Sequence, residues 1–111
     1  AALRDARLGA NLRTPLATAG YRHIFNQYVV RVQRRDELKA RLAERGIGSE
    51  IYYPVPLHLQ ACFAYLDYRA GDFPHSEEAA RETLALPIYP ELKEAQMAHV
   101  VATIADFYAR S

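Results

Sequence analysis

The residues best equipped for chemistry stand together at Ile51-Tyr52-Tyr53-Pro54-Val55-Pro56-Leu57-His58. Two phenols and an imidazole are hydrogen-bonding tips on apolar rings, a set suited to a polar ligand or a neighbouring subunit. Proline has no backbone donor and a fixed φ, so Pro54 and Pro56 stop a regular ladder and hold the loop extended. A β-rich run is expected to end at Tyr53, with His58 presented on a stiff edge. The same residues also suit a plainer role, as tyrosines half-buried in a sheet beside a surface histidine.

Other reactive patterns are missing. There is no Gly-rich phosphate loop, no G-x-S-x-G elbow and no H-E-x-x-H helix. His23, His58, His75 and His99 follow no metal-site spacing, and the single Cys62 forms neither an internal disulfide nor a zinc cluster. Lys39 and Lys93 lie in charged helical surroundings, whereas a Schiff-base lysine needs desolvation or a cationic neighbour. Glu77 and Glu78 are adjacent, so on a helix they point to different sides. No self-contained catalytic machine is visible.

At 111 residues and 12.6 kDa the chain has the length of one domain. A net charge of +1 argues against a nucleic-acid or membrane surface held by bulk electrostatics. No apolar run approaches the roughly 18–20 residues of a membrane span, and one unpaired cysteine fits a cytoplasmic location. The chain opens on Ala1-Ala2 rather than methionine, as a processed product or a piece of a longer polypeptide does.

Periodicity indicates the scaffold for these residues. Residues 1–12 read as a short helical piece and 13–20 as a connector rich in Pro, Thr and Gly. His23–Val32 reads as the first strand, with Ile24, Tyr28, Val30 and Val32 on one face and His23, Phe25, Gln27, Val29 and Arg31 on the other. Its polar start, His23 with Asn26 and Gln27, is where it could meet a ligand or simply face solvent. A charged helix comes next over Arg34–Arg45, buried along Leu38 and Leu42 and closed by Gly46. Ser49–Tyr53 reads as a second strand, completing a β-α-β passage. Leu59–Leu66 suggests one or two helical turns with Phe63 and Leu66 inward, and 67–73 a loop. Pro74–Thr83 reads as a helix with Ser76 as a candidate cap and Glu77, Glu78, Arg81 and Glu82 on a solvated face. Leu84–Ile88 is expected as a third strand. Glu91–Tyr108 carries the widest apolar stripe: Met97, Val100, Val101, Ile104, Phe107 and Tyr108. Together these predict an α+β fold, a small, mainly antiparallel sheet of about three strands with helices packed on one side.

Five stretches, in order, carry a resemblance. They are His23-Ile-Phe-Asn-Gln-Tyr-Val-Val-Arg-Val32, Arg35-Asp-Glu-Leu38 through Gly46-Ile-Gly48, Ile51 to His58, Phe73-Pro-His-Ser-Glu77 and Leu84-Ala-Leu-Pro-Ile-Tyr-Pro90. They resemble the C-terminal small domain of the DegT/DnrJ/StrS sugar aminotransferases, pyridoxal-phosphate enzymes of the aspartate-aminotransferase fold. The resemblance implies that residues 1–20 end a segment leading from a large domain absent here, and that 21–111 form the small domain. It implies an intact enzyme that moves an amino group from glutamate or glutamine to a nucleotide-linked keto-sugar, as a homodimer with pyridoxal phosphate on a lysine of the large domain. The cofactor is the electron sink and the protein supplies orientation and electrostatics.

Carried over by position, Tyr53 would stand near cofactor or sugar, and His58 would line the same mouth. Tyr52 occupies a place where many members have histidine, which weakens any acid–base role there, because a phenol titrates near about 10 and imidazole near about 6.5. His23, Asn26 and Tyr28 are further candidates on the neighbouring strand. No catalytic lysine is implied within these residues, so the chain alone is expected to be inactive and to bind no cofactor tightly. Two other readings stand beside this one. The chain could be a free-standing binding or regulatory module that docks on a partner aminotransferase, or a platform on which Phe25, Tyr28, Tyr52 and Tyr53 stack bases. The near-neutral charge counts against the second.

Overall fold

Helix α1, Arg35–Glu44, forms where the sequence places acidic Asp36 and Glu37 in the first turn and Leu38 and Leu42 four apart. Both leucines are fully buried. The helix closes as its spacing predicts: the Gly46 N–H donates to Ala43, the Ile47 N–H to Leu42, and Gly46 takes a φ of +73° that costs glycine little. A computed structural model of the protein describes Leu3 and residues 8–110. The helical reading of residues 1–7 otherwise lies outside the described residues.

Three strands form an antiparallel sheet in the order β1 (Leu12–Arg13), β2 (Tyr28–Val32), β3 (Thr83–Leu86). The predicted fold class holds, but one of the strands is not where periodicity put it. β1 comes from residues read as a helix end and a connector. It pairs Leu12 with Val32 and Arg13 with Arg31, then stops before Pro15.

β2 is shorter than expected. Tyr28 pairs with Leu86, and beyond that point Pro87 offers no donor. Residues 23–27 bend away instead: Phe25 adopts φ +48°, its N–H donates to His23 Nδ1 at 2.9 Å, and the two rings stack at 4.0 Å. Ile24, expected to share a face with Tyr28, Val30 and Val32, is consequently exposed.

Ser49–Tyr53 is not a strand. Only Glu50 pairs with the sheet, exchanging two hydrogen bonds with Ala85 at 3.1 and 2.8 Å. Pro54 and Pro56 prevent the ladder from continuing. The chain then makes two 3-10 turns, Leu57–Leu59 and Ala61–Leu66, with Phe63 half-buried and Leu66 exposed, the latter contrary to expectation.

Helix α2, Pro74–Glu82, has Phe73 at its cap and Pro74 as its first residue, so Ser76 lies inside the helix and caps nothing. Its acidic face is not solvated as expected. Arg31 of β2 lies 3.5 Å from Glu78 and 3.0 Å from Glu82, and the Glu82 side chain is only 18% exposed.

Helix α3, Glu94–Ala109, starts three residues later than predicted, where Gln96 Oε1 accepts the Lys93 N–H at 2.9 Å. Its stripe buries Ile104 and Tyr108 and partly covers Val100, Val101 and Phe107, whereas Met97 remains exposed. α1 and α3 pack on the sheet face that presents Val30, Val32, Leu84 and Leu86, with Leu3, Leu12 and Ile47 closing the core. Burial of such side chains at about 25 cal/mol per Å² is the main stabilising term. Between Ile47 and Ala80 no residue is buried. From that long segment only Ile51, half-buried, packs against the core.

Candidate functional site

Two clefts flank the Glu50–Ala85 bridge. The larger, about 780 Å³, opens where β2 begins, β3 ends and α3 starts. Its lining includes Asn26, Tyr28, Glu50, Tyr52, Gln96 and His99. The second, about 510 Å³, lies between Val29 of β2, the Tyr53–Leu57 loop and the Ser76–Ala80 side of α2. Tyr52 borders both clefts, and Tyr53 borders only the second. The bend at residues 23–27 and the Pro-x-Pro break are what open these spaces, because a continuous sheet would fill them with paired backbone.

Of the residues singled out by sequence, the fold thus joins Asn26, Tyr28 and Tyr52 at one mouth, with Tyr53 one step away and 76% exposed. His23 stands apart, in a shallow depression with Leu16, Tyr21 and Arg22. His58 borders neither large cleft. Its side chain is 6% exposed, its Nε2 lies 3.3 Å from Glu77, and its ring meets Phe73 edge-on at 4.9 Å. A carboxylate only accepts, so Nε2 carries the proton in this contact.

Glu77 is one residue whose role the sequence reading missed. Both of its oxygens also accept the Gly71 N–H, at 2.9 and 2.8 Å. The Gly71 backbone donor, with help from His58, holds its carboxyl below the usual glutamate range against the opposing effect of burial. Nothing local signals a partner nineteen positions away. Gln96 and His99, three apart on α3, line the larger cleft and were also missed; the His99 ring contacts the Arg45 carbonyl at 3.1 Å.

No Lys or Arg borders either large cleft among the described residues. Lys93 is exposed ahead of α3, and Lys39 sits half-covered on α1. A pyridoxal phosphate needs a desolvated amine for its aldehyde and is commonly held by cationic side chains at its phosphate, and these clefts offer neither, so the described residues do not fit that cofactor by themselves. No group of three or more potential metal ligands occurs among the described residues, and no described helix is long and apolar enough to cross a membrane.

The architecture, a three-stranded antiparallel sheet backed by two helices and open at one edge, is that found in sugar aminotransferases. DesV from S. venezuelae, solved with a ketimine intermediate, superposes with a TM-score of 0.89 at 31% identity, over 98% of this chain and 30% of that one. Residues 1–105 match the model of the DegT/DnrJ/EryC1/StrS aminotransferase family, and the chain belongs to that family. A pleiotropic regulatory protein of Geobacillus stearothermophilus is 49% identical over 106 residues, which are 96% of this chain and 28% of that protein. The UDP-N-acetyl-3-dehydro-alpha-D-glucosamine 3-aminotransferase of Acidithiobacillus ferrooxidans is 40% identical over 97 residues, 87% of this chain and 26% of that enzyme. The chain therefore spans little more than a quarter of the length of these relatives.

Proposed function

We propose that residues 21–111 are the C-terminal small domain of a pyridoxal-phosphate-dependent sugar aminotransferase, and that residues 1–20 lead into it from a large domain. The intact enzyme transfers an amino group from glutamate or glutamine to a nucleotide-linked keto-sugar, acting as a cytoplasmic homodimer. The observation that carries this reading is the family match over residues 1–105, together with similarity to a named nucleotide-sugar aminotransferase. The large domain supplies the lysine and the cationic phosphate contacts that these clefts lack. The small domain supplies neutral hydrogen-bonding groups, chiefly Tyr52, Tyr53, Asn26 and Tyr28, that orient substrate at the mouth. On this reading the 111-residue chain is inactive alone.

The test is the intact mass of the protein made from its native gene, after incubation with pyridoxal phosphate and borohydride. Reduction fixes a Schiff base as a permanent mass increment. A product several times heavier than 12.6 kDa that carries one cofactor and aminates a keto-sugar nucleotide is expected. A product of 12.6 kDa without adduct, or turnover by the pure chain, would overturn the reading.

A second reading, a free-standing module docking on a partner, draws on the exposed apolar residues. Tyr21, Ile24, Tyr53, Leu57 and Tyr65 are each at least 66% exposed, and all lie outside the sheet and the three α-helices. Such a surface needs a cover. Concentration-dependent self-association of the pure chain would favour this reading.

A further inference from the structure

The segment between Ile47 and Ala80 contains no buried residue, yet it carries Tyr52 and Tyr53. The Glu50–Ala85 bridge and the contact of Ile51 with the core anchor its start, but beyond Tyr53 something other than core packing must set its position. The side-chain contacts that tie the loop to α2 converge on one carboxylate. Glu77, in the first turns of α2, receives the Gly71 N–H on both oxygens and His58 Nε2 on one of them. His58 comes two residues after Pro56, and Gly71 ends the return of the loop. The Glu77 side chain is 12% exposed and that of His58 6%, so both are largely covered. Phe73 closes over the pair, its ring 4.9 Å from His58 and 5.0 Å from Tyr68.

We propose that His58 and Glu77 form a clasp that fixes residues 52–73 on α2 and so holds the Tyr52 and Tyr53 phenols at the clefts. His58 is then a positioning residue, covered and turned away from both clefts rather than exposed to substrate. A hydrogen bond to an ionised partner is stronger than a neutral one, and its loss leaves a covered carboxylate short of a donor. Glu77 ties both ends of this loop, His58 and Gly71, to a helix that packs on the sheet, so the effect of the contact falls on the whole loop. The role at the clefts rests on the aminotransferase reading, whereas the clasp itself does not.

The experiment uses the protein at its native length. Arg69 is exposed in the turn that the clasp closes, where its N–H donates to Asp72 at 2.7 Å. Trypsin cleavage after Arg69 therefore reports opening. His58→Phe, which keeps the ring packing and removes the donor, is expected to speed that cleavage about tenfold, the size of a lost charged hydrogen bond. Glu77→Ala is expected to do at least as much. Adding His58→Phe to Glu77→Ala should change nothing further, because His58 acts through Glu77. His58→Gln, which restores a donor, should cleave like the unsubstituted protein. An unchanged rate in His58→Phe, or effects that multiply in the double variant, would overturn the clasp.

The second arm measures transamination. His58→Phe should raise KM for the nucleotide-sugar several-fold with kcat little changed, and His58→Gln should restore it. A variant that merely folds poorly would instead lose kcat at unchanged KM, and that result would overturn the positioning role. Failure of the aminotransferase reading shows separately, as absence of turnover in the unsubstituted protein.

Discussion

Tyr108 offers the sharpest test of the frame that carries the site. It lies near the end of α3, buried to 9% exposure, and its hydroxyl donates to the Gln33 carbonyl just beyond β2. Burial raises its pKa from 10.0 to about 12, against a smaller opposing effect of the Arg34 guanidinium. The folded state therefore keeps its proton where the unfolded chain loses it. Between pH 10.0 and about 12 the unfolded state binds fewer protons, so stability falls as pH rises through that window. Two units at about 1.4 kcal/mol each make the loss about 3 kcal/mol by about pH 12.

Replacing Tyr108 by Phe removes both the titration and the hydrogen bond. At about pH 7 the variant should be less stable by about 1 kcal/mol, since Gln33 is exposed and its carbonyl can rehydrate. Above about pH 10 the unsubstituted chain loses that advantage, and the two stabilities should cross at about pH 11. Urea unfolding of both chains, in steps from about pH 7 to about pH 12, gives the difference directly. The remaining tyrosines are common to both and cancel. Stabilities that run parallel across the window would refute the reasoning.

Two further outcomes come from contacts elsewhere in the domain. Leu38→Ala, at a fully buried site on the helix that packs against α3 and β3, should cost about 3–4 kcal/mol in urea unfolding. Ala40→Lys, on the exposed side of the same helix, should cost under about 0.5 kcal/mol. Because the Glu77 carboxyl titrates below the ordinary glutamate range, its contribution is complete above that range and disappears as pH falls through the lowered value. Hydrogen exchange at the Gly71 amide should accordingly stay slow through mildly acidic pH and accelerate only once that carboxyl protonates, and the acid-side change should vanish in Glu77→Ala.

Helices were legible because their signals are local. Leu38 and Leu42, four apart with Gly46 behind them, identify α1 without reference to anything distant, and Pro74 does the same for the start of α2. Strands depend on a partner, and there the sequence misled. Leu12–Arg13 has no β pattern of its own and is a strand because Val32 and Arg31 pair with it. Ile51–Tyr53 has a strong β composition and is not a strand, because only Glu50 finds a partner and two prolines come after it. The same distinction governs the site. Asn26, Tyr28 and Tyr52 were found from the sequence and do share a cleft. The bond between His58 and Glu77 was invisible, since Glu77 reads as one more charge on a helix face until the return of the loop brings His58 against it.

The composition of the clefts leads to a last prediction. Phosphates are held by Arg, Lys, helix N-termini or clustered backbone donors, and binding of that kind weakens as salt rises. Among the described residues the two clefts have no bordering Lys or Arg, but they do present phenols, amides and hydroxyls. If Tyr52 and Tyr53 orient the uncharged sugar, each Phe substitution removes one neutral hydrogen bond, about 1 kcal/mol or roughly fivefold in KM. That factor should be the same at low and at high ionic strength, even though KM itself shifts with salt through phosphate contacts made elsewhere. The assay is KM for the nucleotide-sugar of native-length protein and both variants at two salt concentrations. A variant effect that shrinks as salt rises would place the phenols among the charge-dependent contacts to phosphate. Neutral-group orientation by this domain would then be wrong, even if the aminotransferase reading stood.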